Sequence, residues 1–283
     1  MRHSTLALAV FAAFGLVLST GRTAALFADE PEDEGKIAVI NPPEKDFFAK
    51  RLDYAGIPIK AHQDVSDEAL FEAKKRLAMM LDKLPEIRKT LSAAGSELHI
   101  IGRRQVTSDL PEFRELKGKP FDGKQTVDER TRGLGGLLSS CGEENLLRLS
   151  DDRYHGKDIC VHEFAHNIFD NGMEDSVRQQ FYEQHKKSLD KGLWVGSYAG
   201  GNKDEYFSEL SMWYFGTHGD LNMKGEKPEN GPAGLKQYDP DAFSLMEKFY
   251  RGKMEPAKTP SRKTAVQGDV ARCKNDVAMS CDP

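Results

Sequence analysis

The chain has 283 residues, 39% hydrophobic and 30% charged, with a formal net charge of −5 at neutral pH. That balance is of a soluble globular protein, long enough for one large domain or a domain with appendages. It excludes the basic surplus of a nucleic-acid binder, and no internal repeat divides the sequence.

Met1-Arg2-His3 is a short basic start, and residues 6–18 (LALAVFAAFGLVL) are uninterruptedly apolar. The run suits a signal-peptide core and falls short of the roughly 20 residues that span a bilayer. Thr23, Ala25 and Ala28 offer small residues for cleavage, and no cysteine near the junction invites lipidation. We expect residues 1–28 to be a signal peptide, the protein to be periplasmic or secreted, and no stable membrane insertion after cleavage. An uncleaved N-terminal anchor is the alternative.

Residues 29–60 read as an N-terminal extension opened by the acidic leader Asp29, Glu30, Glu32, Asp33 and Glu34. Within it, 37–40 suits a strand ended by Pro42-Pro43, 47–52 a short helix, and 56–59 an extended segment. The main domain is expected over 61–253. Ser66 or Asp67 can cap a helix through Leu84, with Leu70, Ala73, Leu77, Met80, Leu81 and Leu84 on one face. A second helical piece, 86–94, stops at Gly95. Leu98 to Ile101 suit a strand closed by Gly102, in which His99 reads as a structural histidine. Residues 103–131 are polar and Pro/Gly-punctuated, a long surface loop of the kind that borders a cleft.

Residues 133–138 and 144–149 read as two strands, the first glycine-rich enough for a bulge or close backbone approach. Its Gly-x-Gly-Gly run is no phosphate loop, because no helical pattern follows at the required place.

The next stretch carries the chemistry. His162-Glu163-Phe164-Ala165-His166 is an H-E-x-x-H motif, set in a helical context of Ile159, Val161, Phe164, Ala165, Ile168 and Phe169 and stopped by Asn171-Gly172. Residues four apart share a helix face, so both imidazoles can meet one metal ion, while Glu163 can reach a water on it. Zinc with two histidines, a carboxylate and water is an open catalytic site, its water acidified to a pKa of about 7. In zincins an edge strand before such a helix pairs with extended substrate, a role open to one of the two strands.

A helix over 176–189 follows, with His185 on its polar side. Asn202 or Asp204 then starts a helix carrying Glu205, Phe207, Glu209, Met212, Trp213 and Phe215. Glu205 and Glu209 share a face, and two carboxylates among aromatics are costly unless paired or metal-bound. The natural division puts Glu205 on zinc and Glu209 behind it, holding the other nitrogen of a ligand histidine. The metzincin pattern fails, since Phe169 stands where it needs Gly and Gly172 where it needs His. His218 could be a third nitrogen ligand, but the glutamate pair explains more.

With these residues in view, H-E-F-A-H at 162–166 and Y-A-G-G-N-K-D-E-Y-F-S-E at 198–209 resemble the gluzincin-type zinc metallopeptidases of the anthrax lethal factor family and related exported bacterial proteins. The shared pattern is a Tyr seven before the ligand Glu, an Asn three before it, an aromatic pair after it and a second Glu four on. Tyr198, Asn202, Glu205, Tyr206-Phe207 and Glu209 match it. The resemblance implies one zinc held by His162, His166 and Glu205, Glu163 as general base, and Tyr198 as oxyanion stabiliser. It covers about residues 160–215, leaves the substrate open, and brings no toxin role, because no counterpart of the toxin's delivery domains is found.

A Gly/Lys/Pro/Asn loop, 216–234, precedes a helix over 238–250 with Pro240 in its first turn. Residues 254–283 read as a polar tail. Four cysteines in an exported protein favour disulfides, with three pairings open. Cys141–Cys160 would clip the strand region to the metal helix and Cys273–Cys281 would close a small loop in the tail; unpaired cysteines are the alternative. The sequence thus predicts an exported α+β, zincin-like metallopeptidase acting on a peptide or protein. The alternatives are a secreted zinc-binding protein without turnover, and a zinc hydrolase of a non-protein polymer such as cell wall.

Overall fold

The structure is a computed structural model that describes residues 35–121, 123–219 and 226–254. The expected signal peptide, nearly all of the expected tail, and Cys273 and Cys281 lie outside the described residues.

The class is mixed α+β, built on a six-stranded sheet. Strands β1 (Ala38–Glu44), β2 (Phe48–Tyr54) and β3 (Ile57–Ala61) form an antiparallel meander. Residues 47–52, expected as a helix, are therefore mostly strand. Phe48 and Leu52 are four apart, a spacing compatible with either period, and pairing with β1 on one side and β3 on the other decides the matter. Pro42-Pro43 do not end β1, because an edge strand tolerates prolines whose missing N–H faces no partner; the register shifts between Val39 and Glu44. The segment 29–60 is thus more than an extension, since its three strands continue into the main sheet through β3.

Helix α1 (Asp67–Leu81) buries Leu70, Ala73, Leu77, Met80 and Leu81 against that sheet, and α2 (Pro85–Ala94) ends where Gly95 turns left-handed. Each buried leucine there contributes about 1.5–3 kcal/mol. Strand β4 (Glu97–Ile101) runs parallel to β3. On it His99 is fully buried, its Nδ1 2.5 Å from Glu112 and its Nε2 2.8 Å from Glu97. Burial pulls this imidazole down, but the two carboxylates outweigh it and hold its pKa above the usual value.

The segment 103–131 is not a bare surface loop. Two 3₁₀ turns and α3 (Val127–Arg130) gather Leu110, Phe113, Phe121 and Val127 into a second small core with Phe47, Phe48, Ile101 and Leu134. Its Gln105, Ser108, Asp109, Arg114 and Lys117, with Phe47, line an open hollow of about 460 Å³ that no predicted site residue enters.

Strand β5 (Gly133–Leu134) and strand β6 (Leu138–Gly142) follow, giving the order β1-β2-β3-β4-β6-β5, with β6 parallel to β4 and the short β5 antiparallel at the edge. Residues 144–149 are not a strand. Glu143 to Leu146 make a one-turn helix, α4, buried on all sides. Glu143 accepts from the Ser66 and Arg103 amides, and Glu144 pairs with Arg132 at 2.6 Å.

The remaining helices are α5 (Ile159–Asn167), running into a π-type turn, α6 (Asp175–Asp190), α7 (Tyr198–Gly201), α8 (Lys203–Phe215), α9 (Pro232–Tyr238) and α10 (Pro240–Tyr250). Helix α5 packs on β6 and β5 on one side and on α8 on the other, and α6, α9 and α10 surround α8. Phe169, Phe181, Phe207 and Phe249 join these helices, with neighbouring ring centroids 4.9–6.2 Å apart. His185 is not on a polar face. It is buried against Tyr206 with Nε2 3.3 Å from the Gly200 carbonyl. Among the described residues no helix is long and apolar enough to cross a membrane.

Candidate metal centre

Helix α5 is pinned at both ends. Asp158 caps it, accepting from the Val161 amide at 3.1 Å. This carboxylate is fully buried and held by Arg76 at 2.8 Å and Arg148 at 2.7 Å, placing negative charge at the helix's positive end. At the other end the Asn167 side-chain Nδ2 donates to the Ser96 and Ser139 hydroxyls and to the Leu137 carbonyl, fastening α5 to the sheet. With rotation blocked, Val161, Phe164, Ala165 and Ile168 face the core while His162 and His166 face α8. Asn202 caps α8 through the Asp204 amide, and left-handed Gly216 ends it.

Between these helices three predicted ligand residues converge. His162 Nε2 and His166 Nε2 each lie 3.0 Å from Glu205 Oε2 and 3.2 Å from one another. All three side chains are buried, and among the described residues they are the one His/Cys/Asp/Glu group able to hold a metal ion. Ligands about 2.0–2.1 Å from a tetrahedral zinc stand roughly 3.3 Å apart, so these contacts frame a site of that size. Burial pushes the Glu205 carboxyl up, but the charge of His166 and hydrogen bonds from both imidazoles hold it well below the carboxylate range. His162 is held well above the imidazole range, Glu205 and Glu209 together overcoming its burial. One carboxylate oxygen shared by two buried ring nitrogens is a place for positive charge, whether proton or metal cation.

Glu209 stands behind this group. Its Oε1 lies 3.2 Å from His162 Nδ1, a charge contact not aligned as a hydrogen bond, and its Oε2 is 2.9 Å from His218 Nε2. His218 therefore approaches Glu209 and is not part of the His162–His166–Glu205 group. Glu163 is half-buried on the helix face beside the histidines, and burial raises its carboxyl above the ordinary range against the pull of His162 and His166. Tyr198, half-buried at the start of α7, sets its ring 6.2 Å from that of His162, the planes 30° apart.

Cys141 and Cys160 are brought together, one on β6 and one on α5, but as free thiols rather than a disulfide. Both are fully buried, and in that dry sheet–helix seam a neutral thiol packs as a small hydrophobe; burial pushes the Cys141 thiol well up.

The edge strand comes very close to the centre. A Cβ built at Gly135 would stand 2.7 Å from His166 Cβ, and one at Gly133 3.3 Å from Glu163 Cγ. Gly135→Ala should displace His166 and weaken any metal binding at this group about tenfold, measured with zinc as the probe in competition with a chromophoric chelator. Unchanged affinity would mean that the strand moves aside freely.

The Asp158–Arg76–Arg148 clamp was not singled out from sequence, although an Asp directly before an apolar helical run is a legible cap signal. No protein-family model matches the chain, and no curated protein matches it.

Proposed function

We propose that this chain is an exported, zincin-like zinc metallopeptidase of the gluzincin type. The observation that carries the proposal is the convergence of His162 Nε2, His166 Nε2 and Glu205 Oε2 in one buried group. Zinc held there would supply Lewis-acid polarisation and a water acidic enough to react at neutral pH.

The chain's own residues do the rest. Glu163, on the same helix, takes the proton from the attacking water and delivers it to the leaving nitrogen; its raised pKa suits a group that must both accept and return a proton. The Tyr198 hydroxyl donates to the oxyanion as the carbonyl becomes tetrahedral. An extended peptide would pair with the free edge of β5, whose glycine backbone packs against Glu163 and His166 too closely to admit a side chain. Glu209 orients His162 from behind.

Incubating the purified chain with an unbiased peptide library, with and without chelator, and reading the products by mass spectrometry tests this proposal. Zinc-dependent cleavage is expected. A zinc-loaded chain that cuts no peptide would overturn the peptidase reading. Activity confined to cell-wall polymer would transfer the same residues to a different substrate, and zinc uptake without any turnover would make the chain a binding protein.

A further inference from the structure

We infer that His218 is a positioning residue for the metal centre: it locks the Glu209 carboxylate so that the other oxygen of that group faces His162. The inference rests on the proposed zinc site, and it concerns a residue outside the ligand set. His218 is fully buried and stacks on Trp213 with centroids 4.0 Å apart and planes 12° from parallel. Its Nε2 is 2.9 Å from Glu209 Oε2, whereas its Nδ1 is buried without a hydrogen-bond partner among the described residues. A carboxylate oxygen can only accept, so the ring carries a proton on Nε2 and donates to Glu209, while Nδ1 meets no acceptor among the described residues.

The backbone around His218 is fixed independently of that bond. The Thr217 carbonyl accepts from the amide of Asp158, the residue that caps α5, and the His218 amide donates to Asn230 Oδ1 at 3.2 Å. Segment 216–219 thus spans from the end of the glutamate helix back to the start of the histidine helix. It carries a donor held by stacking and aimed at the Glu209 carboxylate. Glu209 has two oxygens, and assigning Oε2 to His218 leaves Oε1 for His162 Nδ1. Without His218 a buried carboxylate would lose its hydrogen bond and turn, and His162 would lose its orientation.

The test separates the hydrogen bond from the packing. His218→Phe keeps a ring on Trp213 and removes the donor, and His218→Gln keeps an N–H donor. Zinc affinity of the full purified chain, by chelator competition, should fall about tenfold for His218→Phe and stay within about threefold of wild type for His218→Gln. The visible spectrum of cobalt-loaded His218→Phe should shift, reporting a changed coordination geometry. In a Glu209→Ala background, His218→Phe should add nothing, because the two act as one unit. Should His218→Phe fail to fold, the glutamine variant decides, and a tenfold loss there overturns the inference. Wild-type affinity in a folded His218→Phe, or equal losses in both variants, also overturns it while leaving the zinc site standing. A wild-type chain that takes up no zinc overturns both.

Discussion

His162→Ala, His166→Ala and Glu205→Ala should each abolish stoichiometric zinc uptake. Protein zinc sites with a full ligand set bind with about 10–16 kcal/mol, so one ligand carries roughly 3–4 kcal/mol, or two to three powers of ten in affinity. The metal-free proteins should differ in a way that identifies the ligand types. Glu205 is a buried carboxylate balanced by two imidazoles. Removing either histidine leaves that charge poorly compensated and lowers the melting temperature. Removing Glu205 lets both rings become neutral and should cost the metal-free fold less. Glu209→Ala should keep the metal but weaken it roughly 10–100-fold, as losses behind a ligand do. Metal content together with melting curves, with and without chelator, measures all four variants. If Glu209→Ala empties the site while Glu205→Ala stays loaded, the two glutamates are assigned the wrong way round.

The second large effect is on turnover alone. Glu163→Gln preserves size and hydrogen bonding and touches no metal-binding atom, so zinc should stay while kcat falls about 10²–10⁴-fold. The carboxyl sits in a half-buried position beside His162 and His166, where burial has already raised its pKa. Tyr198→Phe is the companion measurement. It deletes one hydroxyl from a ring centred 6.2 Å from that of His162, and loss of one oxyanion donor typically lowers kcat by about 10²–10³, or roughly 2.7–4 kcal/mol, with KM little changed. Full activity in Glu163→Gln, on any substrate the library yields, would reject it as the base. A Tyr198→Phe variant that loses zinc, or changes KM alone, would make that tyrosine a packing or substrate-binding residue.

Several elements failed to match their sequence signals, each for a physical reason. Phe48 and Leu52 satisfy helix and strand spacing equally, and only strand partners on both sides resolve them. Residues 144–149 hold three leucines in a short stretch, yet Glu143 and Glu144 find partners in Ser66, Arg103 and Arg132, which reward a helical turn instead. The polar composition of 103–131 hid four apolar residues spaced too irregularly to show a period, although together they form a core. His185 looked solvent-facing because its neighbours on α6 are charged; the partner that buries it, Tyr206, lies on another helix.

What the sequence determined by itself is local. Asp158 before an apolar 3.6-residue pattern makes α5, and that periodicity alone puts His162 and His166 on one face. The Asn202 cap and the four-residue spacing of Glu205 and Glu209 do the same for α8. Gly95 and Gly216 end their helices because each takes a left-handed conformation that other residues adopt only at a cost. The tertiary structure alone decided that Glu205 meets His166 across 39 residues of chain, that Glu209 is shared between His162 and His218, and that Cys141 lies beside Cys160. Those meetings follow from packing α5 between the sheet and α8. The free energy that drives such packing is buried apolar area, summed over residues far apart in sequence, and no local spacing records it.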